Sequence, residues 1–191
     1  LSTFDKGVLV VPDQKIPDVI NAFRDDPVTA IHISDSYGLI LGTSRGKLIN
    51  YTNGELTVLK ESAKRSIEGI YGDLKGDIIL FDNGGGCVYN MRTQQMQKIV
   101  PASLKDVVIA SESKIFIATN LGIYETTRLA NNKFDAKLMK GMNQRVYALE
   151  YDKESACLYA STANGFFKID SLGNFTKIRY QNEDIFPTSL Y

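Results

Sequence analysis

The chain has few of the residues from which several classes of functional site are built. Its 191 residues include no tryptophan, one histidine and two cysteines. Cys87 and Cys157 are 70 residues apart at non-equivalent positions of the repeat described below, so buried free thiols are expected rather than a disulfide. No second His or Cys lies at metal-ligand spacing from His32. The sequence therefore predicts neither a zinc site nor a bound cofactor.

Net charge and long apolar runs are also absent. The chain has 22 basic and 22 acidic residues, so it lacks the basic surface with which proteins bind nucleic acid. No apolar run reaches the roughly 18 residues of a membrane helix, so no direct membrane contact is expected in this segment. No leader opens the chain, and Leu1 falls where a strand should be ending. A segment of a longer polypeptide is expected.

The chain instead contains a repeated sequence motif. Ile115–Tyr124 is an apolar run, a short polar turn, a glycine and a second apolar run; Gly38–Leu48 and Cys157–Phe167 repeat this order. Glycines that we take as equivalent, at positions 7, 46, 86, 122 and 165, are 36 to 43 residues apart. This spacing predicts one four-stranded β-propeller blade per repeat, with Gly in each tight hairpin turn.

The fold predicted is an all-β propeller over residues 1–191, as one domain or a propeller segment. Complete blades are expected near residues 28–60, 67–100, 105–139 and 146–180, with a partial blade shared by residues 1–20 and 185–191. Second strands such as Ile78–Phe81 are apolar on both faces, which favours a propeller over a sandwich. Closure through the shared blade would give five blades, and otherwise the chain is an arc of a larger propeller.

The second hairpin also resembles a known family. Ile40–Gly46 and Phe116–Gly122 follow the pattern of the two-component regulator propeller repeat, with Ile40, Ile79, Phe116 and Tyr159 where that family usually has Trp. The resemblance implies the periplasmic or extracellular sensor region of a bacterial hybrid histidine kinase. It further implies a carbohydrate ligand, more propeller repeats in the same chain and a possible homodimer, with the kinase outside these residues.

Candidate binding residues occupy two sets of loops that meet at one side of a propeller. Their planar hydrogen-bonding groups suit sugar hydroxyls or uronate carboxylates. Loops leading into first strands carry Arg24, Arg65, Asn143, Arg145 and Asn182, and turns between second and third strands carry Arg45, Asn83, Asn120 and Asn164. A ligand-sensing domain predicts a concave pocket around Arg45, Arg145 and Asn164.

Two alternatives remain open at this stage. An architectural propeller that holds protein partners in a surface or secretion assembly predicts a filled channel and an apolar rim. A five-bladed glycoside hydrolase needs two carboxylates facing each other across the mouth. Asp106 and Asp184 are placed at the mouth, but Asp35, Asp73, Glu112 and Asp152 are better explained as turn residues. The sequence therefore predicts no catalysis in this segment.

Overall fold

A computed structural model gives the fold of the chain. It describes residues 2–3, 7–8, 23–61, 65–73, 76–82 and 84–187. The chain divides into two compact units, residues 1–96 and 97–191. The predicted partial blade of residues 1–20 lies mostly outside the described residues, where only β1 (Ser2–Thr3) and β2 (Gly7–Val8) are assigned, as an antiparallel pair.

Three antiparallel four-stranded sheets and one five-stranded sheet follow in series, and their strands are hydrogen-bonded in chain order. We call these sheets blades 1 to 4 and the strands of each blade A to D. Blade 1 consists of β3 (Val28–Ser34), β4 (Gly38–Thr43), β5 (Lys47–Thr52) and β6 (Glu55–Glu61). Blade 2 consists of β7 (Ile67–Asp73), β8 (Asp77–Asp82), β9 (Gly85–Asn90) and β10 (Met96–Val100). The boundary between the two units falls inside β10.

Blades 3 and 4 belong to the second unit. Blade 3 consists of β11 (Leu104–Ser111), β12 (Lys114–Thr119), β13 (Ile123–Arg128) and β14 (Phe134–Leu138). Blade 4 consists of β15 (Val146–Asp152), β16 (Cys157–Thr162), β17 (Gly165–Ile169) and β18 (Phe175–Tyr180), and a fifth strand, β19 (Glu183–Asp184), pairs with β18. The four predicted four-stranded blades are therefore confirmed.

The end of blade 4 differs from the prediction. Residues 185–191 were expected to begin a fifth repeat, but Glu183 and Asp184 extend blade 4 as β19. The turn between β18 and β19 contains Gln181 and Asn182, whose φ angles of 51° and 67° suit a tight hairpin. Residues 185–187 form no regular strand, and residues 188–191 lie outside the described residues.

The B strands are buried on both faces, as their composition predicts. In β8, Ile78 and Ile79 point to opposite faces and each is 0 % exposed. The D strand of blade 1, by contrast, has no buried residue along Glu55–Glu61. A sandwich would instead leave one face of every strand in water. This burial pattern supports the propeller interpretation.

Each unit has its own apolar core between two blades. In the first unit, Ile40 and Leu48 of blade 1 pack with Ile67, Ile78 and other residues of blade 2. In the second unit, the core between blades 3 and 4 contains nine buried residues: Phe116, Ala118, Ile123, Met142, Val146, Leu149, Leu158, Ala160 and Ile169. These cores fix adjacent blades to each other and so hold the loops at their ends in place.

Candidate ligand-binding face

One end of each blade is formed by the loop before strand A, which we call the DA loop, and the turn between strands B and C, the BC turn. A hydrogen bond joins the two in three blades. Ser44 N–H donates to Pro27 C=O at 2.9 Å in blade 1. The matching bonds run from Asn120 to Ser103 at 3.1 Å in blade 3 and from Ala163 to Arg145 at 3.0 Å in blade 4. The DA loop and the BC turn therefore lie side by side, and we call this end of a blade the loop face.

A buried threonine at the end of strand B shapes the BC turn. The hydroxyl of Thr119 accepts hydrogen bonds from the N–H groups of Leu121 and Gly122 at 3.0 and 3.1 Å and donates to Gly122 C=O at 2.8 Å. Thr162 accepts from Asn164 and donates to Gly165 in the same way. The threonine thus satisfies backbone groups in a turn too tight to pair them all with each other.

The backbone geometry of this turn requires glycine. It also shows that the sequence placed the equivalent glycine of blade 2 one residue too late. Gly85, Gly122 and Gly165 have φ angles of 126°, 139° and 120°, a region that disfavours other residues. Gly85 pairs with Asp82 as Gly165 pairs with Thr162, so Gly85 rather than Gly86 is the equivalent in blade 2. Three consecutive glycines make this register unreadable from the sequence.

In the first unit, the predicted binding residues that can be placed are Arg24, Arg45 and Arg65. All three are exposed on loops, and Asn83 lies outside the described residues. The backbone N–H of Arg45 donates to the Asp26 carboxylate at 2.8 Å, which gives blade 1 a second connection between DA loop and BC turn. Lys47 lies 3.9 Å from the same carboxylate. Asp26 therefore orders the turn that carries Arg45.

In the second unit, Asn120, Asn143, Arg145 and Asn164 are all exposed in DA loops or BC turns. The side-chain oxygen of Asn120 accepts a hydrogen bond from Ser103 N–H at 3.1 Å, so this amide is partly committed to the fold. Asn182 stands in the hairpin between β18 and β19, whereas the sequence placed it in a loop leading into a first strand. It remains at the end of a D strand, beside the loop face of blade 4.

Sequence reasoning missed four further residues at this face. Every A strand begins with a register shift against its B strand, and the extra residue is Thr29, Glu68, Lys105 or Tyr147 in blades 1 to 4. A bulge re-aims the side chain of its extra residue. The interrupted alternation at the strand start, as in Leu104-Lys105-Asp106, is the only signal that the sequence offers.

In the second unit, each bulge side chain reaches back to the residue two positions before it. The Lys105 ammonium donates to the hydroxyl of Ser103 at 3.1 Å in blade 3. In blade 4, the Arg145 guanidinium lies over the Tyr147 ring, 5.2 Å from its centroid. Tyr147 is 43 % exposed. The loop face of the second unit thus presents two cations and one aromatic ring.

The Asp106 carboxylate bridges the two A strands of this unit. One oxygen accepts a hydrogen bond from Val107 N–H and the other from Leu149 N–H, both at 2.8 Å. Burial raises the pKa of Asp106, and these two hydrogen bonds lower it by less, so the pKa is above its usual value. Its second oxygen is committed to the neighbouring strand, so this carboxylate has a structural role.

Asp184, the other acid that the sequence placed at the mouth, also has structural contacts. Hydrogen bonds from Lys177 and Arg179 hold the pKa of its carboxyl below the usual value. Both cations stand on β18, beside β19. Asp184 is therefore part of an ion-pair network within blade 4.

The opposite end of the second unit contains a cleft of about 190 Å³ between blades 3 and 4. Phe116 and Tyr151 form its aromatic wall, with ring centroids 5.8 Å apart, and an ion pair of 2.6 Å joins Lys114 to Glu125 at its rim. None of the nine predicted binding residues lines this cleft. The predicted pocket around Arg45, Arg145 and Asn164 draws on both units and stays a prediction.

The remaining predictions concern the two cysteines, the acidic turn residues, metal ligands and membrane helices. Cys87 is half-buried and Cys157 is buried, and neither forms a disulfide with another described residue. Asp152 caps its turn by accepting hydrogen bonds from Glu154 N–H at 2.9 Å and from Ser155, as predicted for a turn residue. Within the described ranges, no three His, Cys, Asp or Glu residues are grouped as metal ligands would be. The described residues include no helix long and apolar enough to cross a membrane.

Solved structures of known proteins share the fold. The chain is similar to the extracellular domain of the B. thetaiotaomicron protein BT4673, described once as a one component and once as a hybrid two component system. The TM-score is 0.65 at 18 % identity over 88 % of this chain and 24 % of that one. For the extracellular domain of the hybrid two component system BT3049 from B. thetaiotaomicron, the values are 0.59, 17 %, 85 % and 23 %.

Other functions occur on the same architecture. Virginiamycin B lyase from Staphylococcus aureus matches with a TM-score of 0.60 at 9 % identity, over 81 % of this chain and 56 % of that one. No family model and no curated protein sequence matches the chain. The comparisons show a β-propeller fold that resembles extracellular domains of these signalling systems, and the chain spans about a quarter of the length of those domains.

Proposed function

We propose that this chain is a ligand-binding part of the extracytoplasmic β-propeller region of a bacterial two-component receptor. The ligand proposed is an oligosaccharide or another small polar molecule. Within the receptor, the chain would adjoin further propeller repeats and a second copy of the same protein. The proposal places the protein on the periplasmic or extracellular side. It is supported by the fold shared with extracellular domains of such systems over most of this chain.

The observation that carries the proposal is the hydrogen bond from BC turn to DA loop, repeated in blades 1, 3 and 4. It gathers exposed Arg and Asn side chains from distant parts of the chain at one end of each blade. Loops on a rigid scaffold are where proteins most often place binding residues. A surface rich in guanidinium and amide groups can form several hydrogen bonds to neighbouring hydroxyls or carboxylates.

We further propose that these residues bind their ligand without catalysis. A glycoside hydrolase needs one carboxylic acid and one carboxylate that both face the substrate. Both oxygens of Asp106 already accept backbone hydrogen bonds, and Asp184 pairs with Lys177 and Arg179. The two acids that the sequence places at the mouth are therefore engaged in structural contacts.

The test is a glycan array probed with the 191-residue chain, followed by calorimetry on each glycan that binds. We expect binding that Arg145→Gln or Asn164→Ala weakens about tenfold, because each removes hydrogen bonds to the ligand, with charge-assisted ones at Arg145. Lys153→Gln changes an exposed cation in the turn between strands A and B, at the opposite end of blade 4. It should leave the affinity unchanged.

Two results would contradict the proposal. Absence of binding to every glycan and polar metabolite tested would favour the architectural alternative, in which the propeller holds protein partners. Glycan binding that is lost in Lys153→Gln but retained in Arg145→Gln and Asn164→Ala would move the site away from the loop face.

A further inference from the structure

The loop face of the second unit combines two cations with an exposed aromatic ring. We propose that it binds a sugar that bears a carboxylate, such as a uronic acid residue, with Arg145 and Lys105 contacting the carboxylate and Tyr147 packing on the sugar ring. This inference rests on the proposed function and narrows its ligand class. Blades 3 and 4 both supply residues to this site, which we call the Arg145–Lys105 site.

The positive charge of this site is not compensated by an ion pair with any described residue. Arg145 contacts the Tyr147 ring and Lys105 contacts the Ser103 hydroxyl, and neither forms an ion pair with an acidic side chain of the described residues. Three lysines of this unit differ, because Lys114, Lys137 and Lys177 each have a carboxylate partner within 3.0 Å. Two cations near the starts of neighbouring A strands attract an anionic group.

The carboxylate of Asp106 does not neutralise these cations by direct contact. Its two oxygens accept hydrogen bonds from the backbone of Val107 and Leu149. Lys105 contacts Ser103 in its DA loop, and Arg145 contacts the ring of Tyr147. Burial raises the pKa of Asp106 above its usual value. Positive charge therefore dominates the side chains exposed at the Arg145–Lys105 site.

The exposed ring of Tyr147 favours a sugar as the ligand. The guanidinium of Arg145 covers part of the Tyr147 ring, and 43 % of this residue is still exposed. An aromatic face carries partial negative charge, so it packs well against the weakly positive C–H groups on the flat side of a pyranose. Stacking also limits the freedom of the Arg145 side chain. Less entropy is then lost when its planar fork contacts a carboxylate.

The fold holds the two halves of the site together. Asp106, next to Lys105, accepts a hydrogen bond from Leu149, two residues after Tyr147. The DA loops that carry Ser103 and Arg145 are each bonded to the BC turn of their own blade. Rigid placement of both cations favours a ligand whose carboxylate is fixed to a ring rather than to a flexible chain.

The test compares acidic sugars with their neutral methyl esters. Trisaccharides of galacturonate, mannuronate and glucuronate are titrated into the 191-residue chain, each beside its fully methyl-esterified form, which keeps the ring and removes the charge. We expect at least one acid to bind about tenfold more tightly than its ester, because hydrogen bonds between charged partners are stronger. The advantage should shrink as salt is added.

Variants separate the roles of the three residues. Arg145→Gln and Lys105→Gln should reduce the preference for the acid over its ester, whereas Tyr147→Leu should weaken both forms by a similar factor. Lys153→Gln, at the opposite end of blade 4, should change neither. Thermal unfolding of each variant shows whether the fold is intact, and the exposed positions of Arg145 and Tyr147 make folding of these variants the expected result.

The outcomes distinguish this inference from the proposed function. Equal binding of every acid and its ester, or an acid preference that survives Arg145→Gln combined with Lys105→Gln, overturns the inference and leaves carbohydrate binding in place. The same holds if only neutral glycans bind on the array. Loss of all glycan binding overturns both. A preference for sulfated over carboxylated sugars also overturns the inference, because the anion recognised would then be a sulfate.

Discussion

The carboxylate of Asp106 and the backbone N–H of Leu149 lie 2.8 Å apart and form a hydrogen bond between the A strands of blades 3 and 4. The other carboxylate oxygen accepts a hydrogen bond from Val107 N–H. One side chain thus joins two blades at the place where their A strands begin. This bridge connects the two strand starts that carry the bulge residues Lys105 and Tyr147.

Replacement of Asp106 by Asn should destabilise the protein by about 1 to 3 kcal/mol at neutral pH. The amide retains one oxygen, but its NH₂ group meets a backbone N–H that then has no acceptor. The free energy of unfolding in urea measures this loss. An unchanged free energy would show that the bridge contributes nothing to stability.

The pH dependence of this loss follows from the raised pKa of Asp106. The folded protein binds this proton more tightly than the unfolded chain, whose pKa is near 3.8. The stability that the proton contributes is complete below that value and disappears as the pH rises through the higher folded pKa. The difference between wild type and Asp106→Asn should therefore be larger at acidic pH than at neutral pH.

Asp152 is the control, because its pKa is shifted in the opposite direction to that of Asp106. Its hydrogen bonds from the Ser155 hydroxyl and from the backbone of Glu154 and Ser155 lower the pKa of its carboxyl. The stability that it contributes is present above the unfolded pKa and is lost as the pH falls through the lower folded value. Asp152→Asn should destabilise the protein at neutral pH and match wild type in strong acid. Parallel pH profiles for the two variants would contradict both assignments.

Thr119 should be required for the shape of the BC turn in blade 3. Thr119→Val keeps the side-chain shape but leaves the N–H groups of Leu121 and Gly122 without their acceptor at a buried position, so a loss of about 1 to 3 kcal/mol is expected. Thr119→Ser keeps the hydroxyl and is the matched control.

Hydrogen exchange should reveal where this loss acts. The N–H of Asn120 donates to Ser103, so Thr119→Val should accelerate exchange at Asn120, whereas Thr119→Ser should not. Equal exchange in both variants would mean that the hydroxyl does not order the loop face.

Gly122 should tolerate no side chain, because two effects act there together. Its φ is 139°, and an added Cβ would lie 2.1 Å from the carbonyl oxygen of Met142. Gly173 also has a positive φ, 83°, but an added Cβ meets nothing within 4 Å. Gly173→Ala should cost about 1 to 2 kcal/mol from backbone strain alone.

Gly122→Ala should cost about 1 to 3 kcal/mol more than Gly173→Ala, because overpacking adds to the strain. Thermal and urea unfolding of the two alanine variants measure this difference. Similar losses would show that the carbonyl of Met142 moves aside easily and that strain dominates at both positions.

The core between blades 3 and 4 should depend on Leu149. This side chain is 2 % exposed, whereas Leu172 in blade 4 is 86 % exposed. Leu149→Ala should lower the free energy of unfolding by about 2 to 5 kcal/mol, because it leaves a cavity among packed side chains. Leu172→Ala removes the same atoms from a position in water and should cost under about 0.5 kcal/mol. Comparable losses would contradict the packing described for this unit.

Much of the fold could be predicted because short stretches of sequence are enough to identify the repeat. Apolar runs such as Ile115–Ala118, which are broken by short polar turns, fix where the B strands lie. Glycine marks the tight turns, because Gly122 adopts a φ that other residues avoid. The positions of Arg45, Asn120, Arg145 and Asn164 in exposed loops or turns followed from the same signals. All of these depend only on residues close together in the chain.

The tertiary structure decided what depends on strand pairing. The bulges at Lys105 and Tyr147 are shifts of one strand against its neighbour, and the register of a strand cannot be read from its own residues. The bond from Asp106 to Leu149 joins residues 43 positions apart, and β19 formed because Glu183 and Asp184 pair with β18. The sequence by itself determined the repeating unit and its exposed turns. Pairing and packing between distant segments decided which side chains from those turns stand together.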